Sequence, residues 1–327
     1  MSVLVTGGAG YIGSHMVWSL IDCGEDVVVL DNLSTGSRAL VAEKARFVEG
    51  DAGDAALVRR LIADHAVDSV IHFAGSIVVP ESVDRPLAYY ANNTMAARNL
   101  IEACVEGGVR NFIFSSTATV YAGESAGLLS ETLPTGPISP YGRSKLMVEW
   151  MLEDASRAHD FRHAILRYFN VAGADAKGRT GQSSPRATHL IKRACQVALG
   201  RVPHLDIFGT DYPTPDGTGV RDYIHVSDLV AAHGLALEYL RQGGASSVMN
   251  CGYGHGSSVR EVIASVEHVT GRKLPVLERA RRPGDPPWLI ADSRRIRATL
   301  GWMPQHDNLD EIVRTAYAWE SKFNSAG

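Results

Sequence analysis

Seven short apolar runs that do not alternate with polar residues limit the folds open to this chain. Six stand in the first half, "SVLVTG", "DVVVLDN", "ARFVEGD", "SVIHFAG", "NFIFSST" and "HAILRYFN", and the seventh, "SSVMNCG", comes much later. A strand with one wet face alternates apolar and polar residues, whereas a continuous apolar run is buried on both faces. The segments between the first six have helical period, so strands and helices alternate and predict an α/β fold: a doubly wound parallel sheet (Rossmann) covered by helices. At 327 residues the chain exceeds what one compact domain usually needs. Residues 1–170 are expected to form this first domain and 171–327 a smaller C-terminal α/β substrate-binding lobe. "GADAKGRTGQSSPRATHL" and "GTDYPTPDGTGVRDY" are rich in Gly, Pro, Thr and Asp, so little regular structure is expected there. Irregular segments of that length usually bind something. "VSDLVAAHGLALEYL" reads as a helix with Ser227 as its N-cap, and the chain is expected to return to the sheet over roughly 222–252.

Charge and cysteine usage exclude several classes of function. Lys plus Arg number 32 against 36 Asp plus Glu, a net charge of -4 without a long basic run, so nucleic acid is not an expected partner. Cys23, Cys104, Cys195 and Cys251 lie far apart and form no Cys-x-x-Cys pair, which fits a reducing cytoplasm better than a zinc knuckle or a disulfide framework. No basic leader or long apolar stretch marks a targeting segment or a membrane span. The 12 histidines show no His-x-x-x-His or mixed carboxylate spacing, so no metal is expected and they read as packing or surface residues.

"TGGAGYIG" follows the first strand and opens a helix near Gly10, with Gly7, Gly10 and Gly13 flanking Tyr11 and Ile12. Glycines there allow a tight turn and a close ligand, and the helix start offers unpaired N–H groups to a pyrophosphate. The G-x-x-G-x-x-G spacing differs by one residue from the commonest dinucleotide fingerprint, and tight strand-to-helix turns need glycine in any case. Asp31 strengthens the reading. It ends the second strand 18 residues after Gly13, where a carboxylate accepts both ribose hydroxyls and repels a 2'-phosphate, favouring NAD over NADP. A plain turn or cap is its alternative role. Asp51, ending the third strand, is a candidate for the adenine amino group.

"SPYGRSK" places Tyr141 and Lys145 at i, i+4 on one helix face. A cation beside a phenol favours the phenolate, so the pair reads as a proton acceptor whose tyrosine is brought toward working pH. A base with no nucleophile beside it suits removal of a hydroxyl proton while hydride leaves the same carbon for an oxidised nicotinamide. Alone, Tyr-x-x-x-Lys is common on exposed helices; behind a dinucleotide loop it points to chemistry.

"TGGAGYIGSH", "DNLSTG", "FSSTATVY", "SPYGRSKLMVE", "LRYFN", "DYPTPDGTGVRDYIHVSDL" and "RRPGD" together resemble the extended short-chain dehydrogenase/reductase superfamily and, within it, the UDP-glucose 4-epimerase family, along nearly the whole chain. The resemblance implies tightly bound NAD, a UDP-sugar substrate clasped by the C-terminal lobe, and inversion at C4 of a UDP-hexose through a 4-keto sugar. It implies Tyr141 as base, Lys145 on the nicotinamide ribose, and Thr117 bonding the reacting hydroxyl. Asp31, Asn32, Asp51, Ala52, Phe73, Ala74, Asn92 and Tyr168 match its NAD contacts; Asn170, Arg221, Arg282 and Asp285 match contacts to UDP. Arginines suit a diphosphate because the guanidinium fork donates two bonds at once, although surface salt bridges are the plainer reading. The family pairs helices such as those after "NNTMAARNLIEACVEGG" and in "SPYGRSKLMVEWMLEDA" into a homodimer, whereas their apolar stripes alone equally suit a core.

Two rivals remain at this point. Nucleotide-sugar dehydratases and decarboxylases resemble the chain, but they carry an acid just after the active-site Thr or Ser, where this chain has Ala118, Thr119 and Val120. The other rival is a nucleotide-binding relative without activity. Three positions depart from the family. Ile77 replaces a lysine that reaches the cofactor in some members, which predicts weaker NAD retention, and Ala91 replaces an Asp. Leu289 stands where some members have a bulky Tyr, so an N-acetyl group is expected to fit beside sugar C2 unless Trp288 fills that space.

Overall fold

The computed structural model describes residues 1–121, 127–184, 187–282 and 284–323. Pro185 and Arg186 of the irregular segment and Pro283 of "RRPGD" lie outside the described residues. The seven apolar runs form strands β1 (Ser2–Thr6), β2 (Asp26–Asp31), β3 (Arg46–Glu49), β4 (Val67–His72), β5 (Asn111–Thr117), β6 (Arg162–Tyr168) and β7 (Ser247–Cys251). They build one sheet in the order β7-β6-β5-β4-β1-β2-β3, parallel at every pairing. The longer helices are α1 (Tyr11–Asp22), α2 (Ala55–His65), α3 (Ala96–Glu106), α4 (Pro140–Ala158), α5 (Leu190–Ala198), α6 (Val226–Arg241), α7 (Val259–Thr270) and α8 (Leu309–Phe323).

Successive side chains of a strand point to opposite faces, and here both faces are dry. Val3, Val5, Val27, Val29, Ile71 and Ile113 pack against α1 and α6 on one side. Leu4, Val28, Leu30, Val70, Phe112 and Phe114 pack against α2, α3 and α4 on the other. Each fully buried aliphatic or aromatic side chain contributes about 1.5–3 kcal/mol, which explains why the runs do not alternate. The first of these cores continues without a break into the segments after residue 170, through Ile191, Leu205, Val262, Trp302 and Ile312.

Local chemistry sets the helix starts. Ser139 caps α4, its hydroxyl accepting from the Gly142 N–H at 3.2 Å, and Pro140 supplies the preformed φ of the first helical position. Ser258 and Glu261 form a reciprocal capping box on α7. At α6 the expectation fails by two residues. The cap is His225, whose Nδ1 accepts from the Ser227 N–H at 3.0 Å, so Ser227 lies inside the helix. An imidazole acceptor held by the Thr315 hydroxyl on its other nitrogen does the work expected of a serine, and that contact is 90 residues away in the chain.

Beyond the sheet, a strand Val220–Arg221 pairs in parallel with Trp288–Ala291, which pairs in turn with Leu128–Leu129. Asp222, fully buried, fastens this region by accepting N–H bonds from Tyr253 (2.9 Å), Gly254 (3.0 Å) and Ala291 (3.2 Å). Asp228 does the same for the approach to α8, accepting from the Gln305 and His306 amides, both at 2.8 Å. A buried carboxylate is tolerated only with such partners.

Candidate functional site

The loop after β1 is built for close contact. Gly7 has φ +70°, and a Cβ on Gly13 would stand 2.1 Å from the Gly7 carbonyl oxygen, so no side chain fits between turn and helix. Gly10 precedes α1 without any side-chain cap, leaving the first-turn N–H groups of the helix to a ligand. Asp31 meets this loop from β2: Oδ2 accepts from the Ala9 N–H at 2.9 Å and Oδ1 from the Leu33 N–H at 2.8 Å. Leu33 takes φ +55°, an uncommon conformation for a leucine, and the Asp31 bond holds it there. Asp51 accepts from the Gly53 N–H (2.7 Å) and the Asn32 side-chain amide (3.2 Å), so Asn32, Asp51 and Ala52 lie together at the ends of β2 and β3. Phe73 and Ala74 follow β4, where a Cβ on Gly7 would meet Ala74 N at 2.6 Å. Tyr11 donates to the Gly173 carbonyl at 2.7 Å, and Ile12 packs on the core. A cradle that admits no Cβ, with a carboxylate at its ribose end, fits NAD.

The three candidate catalytic residues converge at the end of β5. Thr117 is its last residue, and Tyr141 and Lys145 come from the first two turns of α4; all three are buried. The expected effect of lysine on tyrosine is absent from the chain by itself. Burial pushes the Tyr141 phenol up to about 12, and the group pulling it down is the Thr117 hydroxyl bonded to it. Burial pushes the Lys145 ammonium down to about 8, opposed by the charge of Glu149. Lys145 donates to the Ser115 carbonyl at 3.0 Å and lies 4.8 Å over the Phe114 ring, contacts set by the sheet and invisible to helix spacing. Tyr168, at the end of β6, completes the wall, with Phe73 against His233 on the α6 side at 4.9 Å.

The candidate substrate residues gather from distant segments. Arg221 donates to Asp285 at 2.5 Å, and the Arg282 guanidinium lies 3.8 Å over the Phe208 ring. The Arg221–Asp285 pair is half-shielded and joins two candidate site residues. Leu289 is the register partner of Arg221 and packs on the cluster of Ala118, Val120, Leu146 and Phe169 beside Thr117. Trp288 precedes it on the strand and so faces the other way. Asn170 opens a strand paired with Tyr223 and lines a cleft together with Tyr11, His189, Leu190 and Tyr223. Ile77 and Ala91 are exposed.

Some of the arrangement escaped sequence reasoning. Asn92 is exposed and donates to the Ser76 hydroxyl at 2.9 Å, whereas its neighbour Asn93 is buried and ties the Ser76 backbone to the Ser144 hydroxyl. A π-helical turn over Tyr90–Met95 turns Asn93 inward, and no pattern in "YANNTM" signals it. Phe208 and Tyr223 also went unnoticed and His189 read only as a packing or surface residue, since single residues in irregular segments carry no periodic signal. Glu149 was visible at i+4 from Lys145. Burial holds His15, His72, His163, His225 and His233 neutral, and among the described residues no cluster of His, Cys, Asp and Glu could hold a metal ion.

A parallel sheet with a dinucleotide cradle and a Thr-Tyr-Lys set at its carboxyl edge defines the class, and the chain belongs to the NAD dependent epimerase/dehydratase family, whose sequence profile matches residues 3–252. Its relatives include the UDP-glucose 4-epimerase of Azospirillum brasilense, 59% identical over 97% of this chain and 91% of that protein. The solved UDP-glucose 4-epimerase of Brucella ovis in complex with NAD superposes with a TM-score of 0.94 at 46% identity, covering 97% of both chains. The UDP-Glc/GlcNAc 4-epimerase of Campylobacter jejuni gives 0.87 at 47% identity, covering 98% of this chain and 99% of that one. Gly13→Ala, which drives a methyl into the Gly7 carbonyl, is expected to lower retained NAD about tenfold or more, read as cofactor released from the denatured protein by chromatography.

Proposed function

We propose that this chain catalyses the NAD-dependent inversion of configuration at C4 of a UDP-hexose, interconverting UDP-glucose and UDP-galactose through a 4-keto sugar. The observation that carries this reading is the convergence of Thr117, Tyr141 and Lys145 at the strand ends beside the glycine cradle, with no carboxylate in Ala118, Thr119 or Val120. Elimination of water needs an acid for the departing hydroxyl and a base for the neighbouring carbon, and this stretch supplies neither. The kinship with UDP-glucose 4-epimerases points the same way.

In this reading Gly7, Gly10, Tyr11, Ile12 and Gly13 hold the pyrophosphate of NAD, and Asp31 its adenosine ribose. Asn32, Asp51 and Ala52 line the adenine side; Phe73, Ala74, Asn92 and Tyr168 line the nicotinamide side with Lys145. When bound, NAD supplies a reversible hydride acceptor for C4 and a positive ring near the phenol. Tyr141 takes the O4 proton and later returns it, and Thr117 orients the hydroxyl. A phenol near 12 needs positive charge close by to act at neutral pH, which Lys145 provides once its ammonium turns to the ribose. Arg221, Arg282 and Asp285 grip the uridine diphosphate with Asn170, so that the sugar is tethered only by its nucleotide and can present either face.

Leu289 sets the width of the pocket in this reading. A leucine beside Ala118 leaves space at sugar C2, and UDP-N-acetylhexosamines are accepted as well. The C. jejuni relative is a UDP-Glc/GlcNAc 4-epimerase. The chain also assembles as a homodimer through α4 and the segment packed against it, where Leu87, Met95 and Trp150 are 80%, 56% and 53% exposed. Large apolar side chains grouped on adjoining surface suit a two-fold interface. Four free cysteines suit the cytoplasm.

Purified protein without added cofactor is expected to convert UDP-galactose to UDP-glucose, and Tyr141→Phe to keep its NAD while kcat falls about 10²–10⁴-fold. Conversion at near-normal rate by that variant, or none by the wild type even with NAD supplied, would overturn the assignment. Leu289→Tyr should lose turnover of UDP-N-acetylgalactosamine while retaining that of UDP-galactose; equal losses would remove Leu289 from the pocket. Trp150→Asp should reduce the light-scattering mass from two chains to one.

A further inference from the structure

The catalytic helix carries a third buried titratable residue that the reaction as described does not use. Tyr141, Lys145 and Glu149 follow one another at four-residue intervals on one face of α4, and Glu149 is 4% exposed. Its carboxylate receives every partner it can hold. Arg167 on β6 donates from Nε to Oε1 at 3.1 Å and to Oε2 at 3.2 Å, and from Nη2 to Oε2; the Ser116 hydroxyl donates to Oε1. Ser116 is the residue before Thr117 and the register partner of Arg167. The network extends further. Arg167 Nη1 donates to the Tyr121 hydroxyl at 3.1 Å, which donates to Asn250 Oδ1 at 2.7 Å, and Asn250 donates to the Leu129 carbonyl at 2.7 Å. Leu129 pairs with Ala291, two residues from Leu289.

Charge gives this network a function beyond packing. Lys145 and Arg167 are two buried cations, and Glu149 is the carboxylate between them. The other groups around Lys145 supply no compensating charge. His72 on β4 is held neutral by burial. His233 on α6 faces the Leu229 carbonyl with Nδ1, so that nitrogen carries the proton and Nε2 accepts from Ser115; the ring is neutral. Tyr141 and Tyr168 are phenols pushed up by burial. Removing Glu149 leaves two like charges in a dry site, and the one able to give up its proton is the lysine.

We propose that Glu149 is a positioning residue for the epimerase chemistry: clamped by Arg167 and Ser116, its carboxylate keeps the Lys145 ammonium charged beside Tyr141. The inference rests on the function assigned above. Because Lys145 must be protonated to favour the Tyr141 phenolate, kcat falls on the alkaline side as that ammonium titrates. Burial lowers it and Glu149 raises it, so loss of Glu149 moves the alkaline limb to lower pH.

The test is the pH dependence of kcat for the NAD-loaded wild type, Glu149→Gln and Glu149→Asp on UDP-galactose. Turnover by the wild type checks the assigned function separately, and its absence would remove that reading before Glu149 is considered. Given turnover, the alkaline limb of Glu149→Gln should move down by about one pH unit or more, with KM changed less than about threefold. Glu149→Asp keeps a charge for Arg167 but withdraws it by one methylene, so its limb should move less and in the same direction; it decides the matter should the Gln variant not fold. A uniform fall in kcat with an unmoved limb, in whichever variant folds, would overturn the proposal and leave Glu149 a structural ion pair.

Discussion

Burial of both faces of a parallel sheet is the constraint from which the rest follows. With Val3, Val5 and Val29 dry on one side and Leu4, Val28 and Leu30 dry on the other, no strand interior can present chemistry to water. Only the strand ends are free. Because all seven strands run the same way, their carboxyl ends lie along one edge, and the loop after Thr6, Asp31, Phe73, Thr117 and Tyr168 are brought together there although they are scattered over more than 160 residues.

Polar groups that enter this dry frame do so only when fully partnered. Asp222, Asp228 and Glu149 are buried carboxylates, and each accepts several N–H or O–H bonds. Removing one partner of the Glu149–Arg167 ion pair is expected to cost about 3–5 kcal/mol, and the amide bonds to Asp222 and Asp228 tie their segments in the same way. Asp222 and Asp228 fasten the C-terminal segments to the sheet, and Glu149 fastens the catalytic helix to β5 and β6. Lys145 is different: it is buried against a carbonyl and an aromatic ring with its charge only partly balanced, the condition in which an ammonium responds to what is placed near it.

Much of this was legible from residue order. Continuous apolar runs named all seven sheet strands, the glycine spacing and Asp31 located the cradle, and the four-residue interval placed Tyr141 and Lys145 on one face. The misses have physical causes. His225 replaced Ser227 as the cap of α6 because an imidazole oriented by Thr315 can accept an amide, a pairing made across 90 residues. The burial of Asn93 went unseen because a π-helical turn, which no pattern in the sequence signals, sets its direction. The spacing that placed Lys145 with Tyr141 did not show that Lys145 also donates to the Ser115 carbonyl or that burial raises the phenol.

Residue order alone determined the main elements, their parallel arrangement and the placing of Tyr141 and Lys145 on one helix face, because hydrophobic period and helical spacing act between near neighbours. The tertiary structure decided which groups share a dry space. Arg221 reaches Asp285 across 64 residues, Arg282 reaches Phe208, and Glu149 finds Arg167 on a neighbouring strand. Protonation depends on those long-range neighbours and on exclusion of water, and neither is encoded in any local interval of the sequence.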